Sequence, residues 1–135
     1  MSAIDVAAGL IFREGLLLIT QRRQGDHLGG LWEFPGGKRE SEETFEQCLR
    51  RELQEELDVR VEVLNLIEVI AHEYAEKSVN LRFFRCRLID SEPRAIGCAD
   101  LRWVRREELF DYKFPAADER LLEKLSVESG HWMTV

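Results

Sequence analysis

The sequence predicts an α/β fold, or the related α+β arrangement, in which helices pack on a β-sheet. Three observations carry this. Runs of Val, Ile and Leu recur along the chain. Two stretches without Gly or Pro place leucines at helical spacing. A chain of 135 residues, 44% hydrophobic, can bury one core but is short for two, so residues 1–135 are expected to form a single domain, with 126–135 ambiguous between a C-terminal tail and part of the domain.

Ala3 to Phe12 is small, β-branched or aliphatic, Arg13-Glu14-Gly15 interrupts it, and Leu16 to Thr20 resumes it, the pattern of a β-hairpin. Gly25, Gly29, Gly30, Gly36 and Gly37, with Pro35, predict irregular chain from 25 to 37, apart from a short extended piece around Leu31 to Phe34. From Thr44 to Leu57, Phe45, Leu49, Leu53 and Leu57 recur every fourth residue and give a charged helix one apolar stripe. Val59 to Ile70, Ser78 to Leu88 and Asp100 to Val104 read as three further strands. Asp118 to Leu125, with Leu121, Leu122 and Leu125, reads as a second amphipathic helix.

Composition narrows the function. A net charge of −7 disfavours nonspecific binding to nucleic acid or to an anionic membrane, so any phosphate ligand calls for a metal bridge. Three cysteines, Cys48, Cys86 and Cys98, lack CxxC spacing, which argues against a disulfide framework or a structural zinc site. The start, Met1-Ser2-Ala3-Ile4-Asp5, has no basic leader, and the apolar runs are too short to span a bilayer. A cytoplasmic protein is expected.

Glu52, Glu55 and Glu56 stand at i, i+3 and i+4 of the first helix, so their carboxylates leave one side of the cylinder. Like charges at that spacing cost roughly 0.2–0.5 kcal/mol per pair unless a cation offsets them. A hard dication such as Mg²⁺ seeks oxygen ligands of this kind beside free carbonyls, which Gly36 and Gly37 could supply. The alternative is a solvated acidic face.

Gly37, Glu43 and Arg51-Glu52-Leu53-Gln54-Glu55-Glu56-Leu57-Asp58-Val59 resemble the Nudix box, G-x5-E-x7-R-E-U-x-E-E-x-G-U, where U is bulky and aliphatic. Asp58 replaces the final glycine and Glu42 stands where many members have glycine. The preceding Leu31-Trp32-Glu33-Phe34-Pro35-Gly36-Gly37-Lys38 is similar to the MutT branch. The resemblance implies an α/β/α sandwich with a mixed sheet between helices. It also implies an enzyme using Mg²⁺, with Mn²⁺ as a substitute, held by Glu52, Glu55, Glu56 and the Gly36 carbonyl. Gly37, Glu43 and Arg51 would support the loop and helix, the latter two as an ion pair. Glu52 is the first choice as general base. Asp100 is a loosely aligned candidate for a further ligand, with a turn aspartate as the alternative.

The same resemblance implies hydrolysis of a small-molecule nucleotide by attack on an internal phosphorus, releasing nucleoside monophosphate and pyrophosphate. It points to 8-oxo-dGTP or a related guanine nucleotide, and so to nucleotide-pool cleansing, by a monomer or homodimer. Pyrimidine triphosphates such as CTP, or a non-catalytic nucleotide-binding domain, are the alternatives. Asp118, in Phe114-Pro115-Ala116-Ala117-Asp118, resembles a base-contacting position. An ionised carboxylate only accepts hydrogen bonds, which suits the N1–H and N2–H₂ donors of guanine; an ordinary helix N-cap is the competing role. Arg22 resembles a nucleotide-contacting arginine, with a solvated edge residue as the alternative, and Lys38 could meet a phosphate as a point charge. Trp32, Phe34 and Trp103 are read as anchors, Cys48 as packing, and Phe83 or Phe84 as a stacking candidate. His27 and His72 have no partner at zinc-ligand spacing.

Overall fold

Residues 3–133 are described by a computed structural model; Met1 and Ser2, in the segment read as leaderless, and Thr134 and Val135, in the ambiguous C-terminal segment, lie outside them. The hairpin pairs β1 (Ile4–Arg13) with β2 (Leu16–Gln21). Its turn places Glu14 at φ 52° and Gly15 at φ 79°, two consecutive left-handed residues that match the right-handed twist of the flanking strands. Two short strands follow, β3 (Trp32–Glu33) and β4 (Gly36–Lys38), then α1 (Phe45–Leu57), the long strands β5 (Arg60–Glu73) and β6 (Ser78–Asp90), and β7 (Asp100–Val104). A 3-10 turn at Arg106–Asp111, a second at Ala116–Asp118, α2 (Glu119–Val127) and a last 3-10 turn at Ser129–Trp132 complete the described chain.

The strands form a mixed seven-stranded sheet with β3-β2-β1-β6-β5 as its main path; β4 joins β1, and β7 joins β2. β1 runs parallel to β6 from Ile4 to Ile11 and antiparallel to β4 and β2 at its two halves. As the central strand it is buried on both faces, and its side chains divide between two cores. Ala7 and Ile11 pack with Leu18 against Leu49, Leu53 and Leu57 of α1. Ala8, Leu10 and Phe12 pack with Phe83 against Leu121, Leu122 and Leu125 of α2. The result is an α/β/α sandwich.

Helix α1 starts where its sequence directs. Thr44 Oγ1 accepts from the Gln47 amide at 3.0 Å and Gln47 Oε1 accepts from the Thr44 amide at 2.8 Å, a capping box worth about 1 kcal/mol. Its three leucines are fully buried, each contributing roughly 1.5–3 kcal/mol. Asp58 ends it in the left-handed region, φ 55° and ψ 46°, with its amide donating to Gln54 O at 3.0 Å. Asp58 is further held by Gln54 Nε2 at 3.1 Å and Arg94 at 2.8 Å, contacts that offset part of the strain glycine would avoid.

Two expectations change, and one ambiguous segment resolves. Residues 36–38 are a strand rather than irregular chain. Glycine disfavours strands as an isolated residue, but here the lack of a side chain lets β4 lie between β1 and α1. The expected second helix begins one residue later and runs on to Val127. Residues 126–132, ambiguous in the sequence, pack on the domain. Trp132 is 6% exposed, meets Phe12 edge to face at 5.3 Å and donates from Nε1 to Leu125 O at 2.9 Å, so the aromatic anchors the segment to the core. Among the described residues no helix is long and apolar enough to cross a membrane.

Candidate active site

A cleft of about 390 Å³ opens at the edge of β4, between the β2–β3 loop, the β5–β6 turn and the start of α2. Two glutamates of α1, Glu52 and Glu56, line it, one helical turn apart. The floor beneath them is bare backbone. A Cβ on Gly36 would sit 1.9 Å from Ala7 O, and one on Gly37 would sit 2.2 Å from Glu52 Cδ, so no residue but glycine fits either place without moving a strand or the carboxylate. Glu56 Oε2 is buried with no hydrogen-bond partner among the described residues. Burial, then the charges of Glu33 and Glu52, push the Glu56 carboxyl up to about 8, against the pull of the Gly36 amide and Arg22. Burial also raises Glu52, with Arg51 pulling it back.

Glu55 does not join them. Its side chain is 52% exposed, lies outside the cleft lining, and holds Arg51 at 3.2 Å. Arg51 is the hub of the loop. It makes a bidentate pair with Glu43 at 2.7 and 3.1 Å, reaches Glu52 at 3.3 Å and donates to Lys38 O at 3.1 Å. The Arg51 guanidinium holds Glu43 well below the carboxylate range, at about 2.

The donor set fits a hard dication. It consists of two carboxylates, one with an orphaned oxygen, over the side-chain-free backbone of Gly36 and Gly37 in β4. Among the described residues no three Asp, Glu, His or Cys side chains converge to cage an ion. Mg²⁺ needs no such cage, since it is commonly held by one or two carboxylates, waters and substrate phosphates. Asp100 is turned away. Its Oδ1 accepts from the Leu101 amide at 2.8 Å, its Oδ2 pairs with Arg102 at 2.7 Å, and it is absent from the cleft lining.

Asp118 also lines the cleft, 6% exposed. It does not cap α2. Its φ of −90° and ψ of −4° are helical, because the 3-10 turn runs directly into the helix, and its side chain makes no cap hydrogen bond. Burial, and secondarily the Glu33 charge, push its carboxyl up to about 7. Glu33 went unrecognised as a site residue in the sequence, though a lone acid between Trp32 and Phe34 is the signal that marks it. It takes Arg22 Nη1 at 2.7 Å, while Arg22 Nε donates to His27 O at 2.6 Å. The guanidinium is therefore committed to the cleft wall. Lys38 and Lys77 stand in the lining, the latter unmarked by any sequence signal, and Phe83 joins them while Phe84 faces the α1 core. His27 meets Tyr74 edge to face at 5.4 Å across two cleft-lining segments.

A family model described as NUDIX domain matches residues 7–124. The chain is 34% identical over 131 residues to a Haemophilus influenzae protein named 8-oxo-dGTP diphosphatase, covering 96% of each. It is 34% identical over 123 residues to the CTP pyrophosphohydrolase of Escherichia coli, covering 91% of each. The solution structure of the E. coli ORF135 protein matches with a TM-score of 0.75 at 34% identity, over 91% of this chain and 88% of that one. The acid-lined glycine strand and these likenesses agree: the chain belongs to the Nudix hydrolase family.

Proposed function

We propose that the protein hydrolyses a nucleoside triphosphate at an internal phosphorus, releasing nucleoside monophosphate and pyrophosphate, and that 8-oxo-dGTP or a related guanine nucleotide is its substrate. The observation that carries the reading is the orphaned, buried oxygen of Glu56 beside Glu52 above the glycines of β4. Glu52, Glu56 and the Gly36 carbonyl would hold Mg²⁺, or Mn²⁺ in its place. Glu55 would complete the set only by releasing Arg51. When bound, the dication would neutralise phosphate oxygens and would lower the pKa of a water from about 15.7 towards neutrality. Glu52, whose proton affinity burial raises against the pull of Arg51, would act as the general base. Lys38 and Lys77 at the cleft offset charge on the outer phosphates, and Arg51 and Glu43 keep the helix and loop in register.

Asp118 supports the base assignment. With its carboxyl at about 7, a protonated form is available at neutral pH, presenting one donor beside one acceptor. The N7–H and O6 of an 8-oxoguanine edge match that pair. Cytosine, with N4–H₂ beside N3, matches it as well, and so CTP is the second reading. Pyrophosphate release from a panel of 8-oxo-dGTP, dGTP, dCTP and CTP, with Mg²⁺ and with EDTA, tests both. Fastest release from 8-oxo-dGTP, abolished by EDTA, is expected. Preference for CTP moves the assignment to the second reading, and orthophosphate as product overturns the reaction.

A further inference from the structure

The last turn of α1 carries Glu56 and has no basic residue to meet its free carbonyls. Segment 94–99, in the β6–β7 connection, meets them instead. The Ile96 and Gly97 amides both donate to Glu56 O, at 3.1 and 2.9 Å, and the Arg94 amide donates to Leu57 O at 3.0 Å. The segment is also tied to β2 and the loop that follows it. The Ala99 amide donates to Gln21 O at 2.8 Å, and the Arg23 guanidinium donates to Ile96 O.

Gly97 is where the strap presses on the helix. A Cβ there would lie 3.1 Å from both Cα and Cγ of Glu56 and 3.4 Å from its Cβ. Its φ is not in the left-handed region, so the requirement is for space alone. Backbone and side chain of Glu56 are thus fixed from outside α1 by a residue with no chemistry of its own.

We propose that Gly97 and Arg23 are positioning residues that set where the Glu56 carboxylate stands, and through it the affinity of the cleft for a divalent cation. This rests on the reading of Glu56 as a metal ligand, and the test separates the two. The Arg23 link crosses the cleft wall from the β2–β3 loop, so loss of either end lets the segment, and the helix turn it holds, relax.

The probe is Mn²⁺ alone, without nucleotide, followed by electron paramagnetic resonance of the free ion, with thermal unfolding as a check on each variant. Gly97→Ala and Arg23→Met are expected to weaken Mn²⁺ binding roughly tenfold, the lower end of what loss of an outer-sphere partner costs. Arg23→Lys, which keeps a donor for Ile96 O, should recover most of that loss. Because no nucleotide is present, direct contact of Arg23 with phosphate cannot produce the effect. Glu56→Gln should weaken binding more than either. If Glu56→Gln weakens Mn²⁺ binding while folded Gly97→Ala and Arg23→Met bind as the parent does, the positioning role is refuted and the metal site stands. If Glu56→Gln binds as the parent does, the metal site fails and the inference falls with it.

Discussion

Asp118→Asn is the sharpest perturbation, because it replaces a buried carboxyl with a neutral amide of nearly the same shape. In the folded protein the carboxyl titrates at about 7, against an ordinary 3.8. Each tenfold change in proton affinity is worth about 1.4 kcal/mol, so ionising this group in the fold costs roughly 4 kcal/mol more than in the unfolded chain. The sign follows from the upward shift. The favourable contribution is complete below pH 3.8, declines as pH rises, and is lost once pH passes about 7. The variant should therefore match the parent near pH 4 and exceed it by up to about 4 kcal/mol at pH 8. Urea unfolding at both pH values measures the gap. Curves that stay parallel at every pH would show that the carboxylate sits in the cleft without penalty, and would remove the argument that a protonated Asp118 reads the base. Lower stability of the variant at pH 8 would refute the reasoning outright.

Other substitutions separate the glutamates from their supports. Glu52→Gln and Glu56→Gln should each reduce turnover about a hundredfold or more, the scale of losing an electrostatic contribution to the transition state, whereas Glu55→Gln, whose carboxylate faces Arg51 and solvent, should cost less; steady-state pyrophosphate release ranks them, and equal losses would show that Glu55 swings into the cleft. Gly37→Ala forces a Cβ onto the Glu52 carboxylate and should abolish turnover, while circular dichroism checks that the fold survives. Asp58→Gly relieves a left-handed residue by about 1 kcal/mol and gives up the exposed pairing with Arg94, worth at most about 1 kcal/mol; a stability change within about 1 kcal/mol and unchanged turnover are expected.

The hydrophobic stripe of Phe45, Leu49, Leu53 and Leu57 and the Arg13-Glu14-Gly15 break were legible because period and turn chemistry are local properties. Strand β4 was not, because its glycines act through the atoms that approach them, Ala7 O and Glu52, rather than through propensity. The same limit applies to the acids. Helical spacing puts Glu52, Glu55 and Glu56 on one side of α1, yet Arg51 draws Glu55 outward, a choice settled by charge pairing across a turn. Lys77, on the β5–β6 turn, entered the site only through tertiary contact, as did the commitment of Glu33 to Arg22. Asp118 had two compatible roles in the sequence, and backbone dihedrals removed one of them. The last turn packs by Trp132, an aromatic whose burial depends on Phe12 more than a hundred residues earlier.

A crystal grown with Mn²⁺ and a nonhydrolysable 8-oxo-dGTP analogue, read by anomalous scattering at the manganese edge, bears on the centre of the account. An ion bound by carboxylate oxygens of Glu52 and Glu56 and by the triphosphate, with the base against Asp118, is the result expected. An ion held elsewhere, with Glu56 Oε2 still unpartnered and the nucleotide outside the cleft, would contradict it.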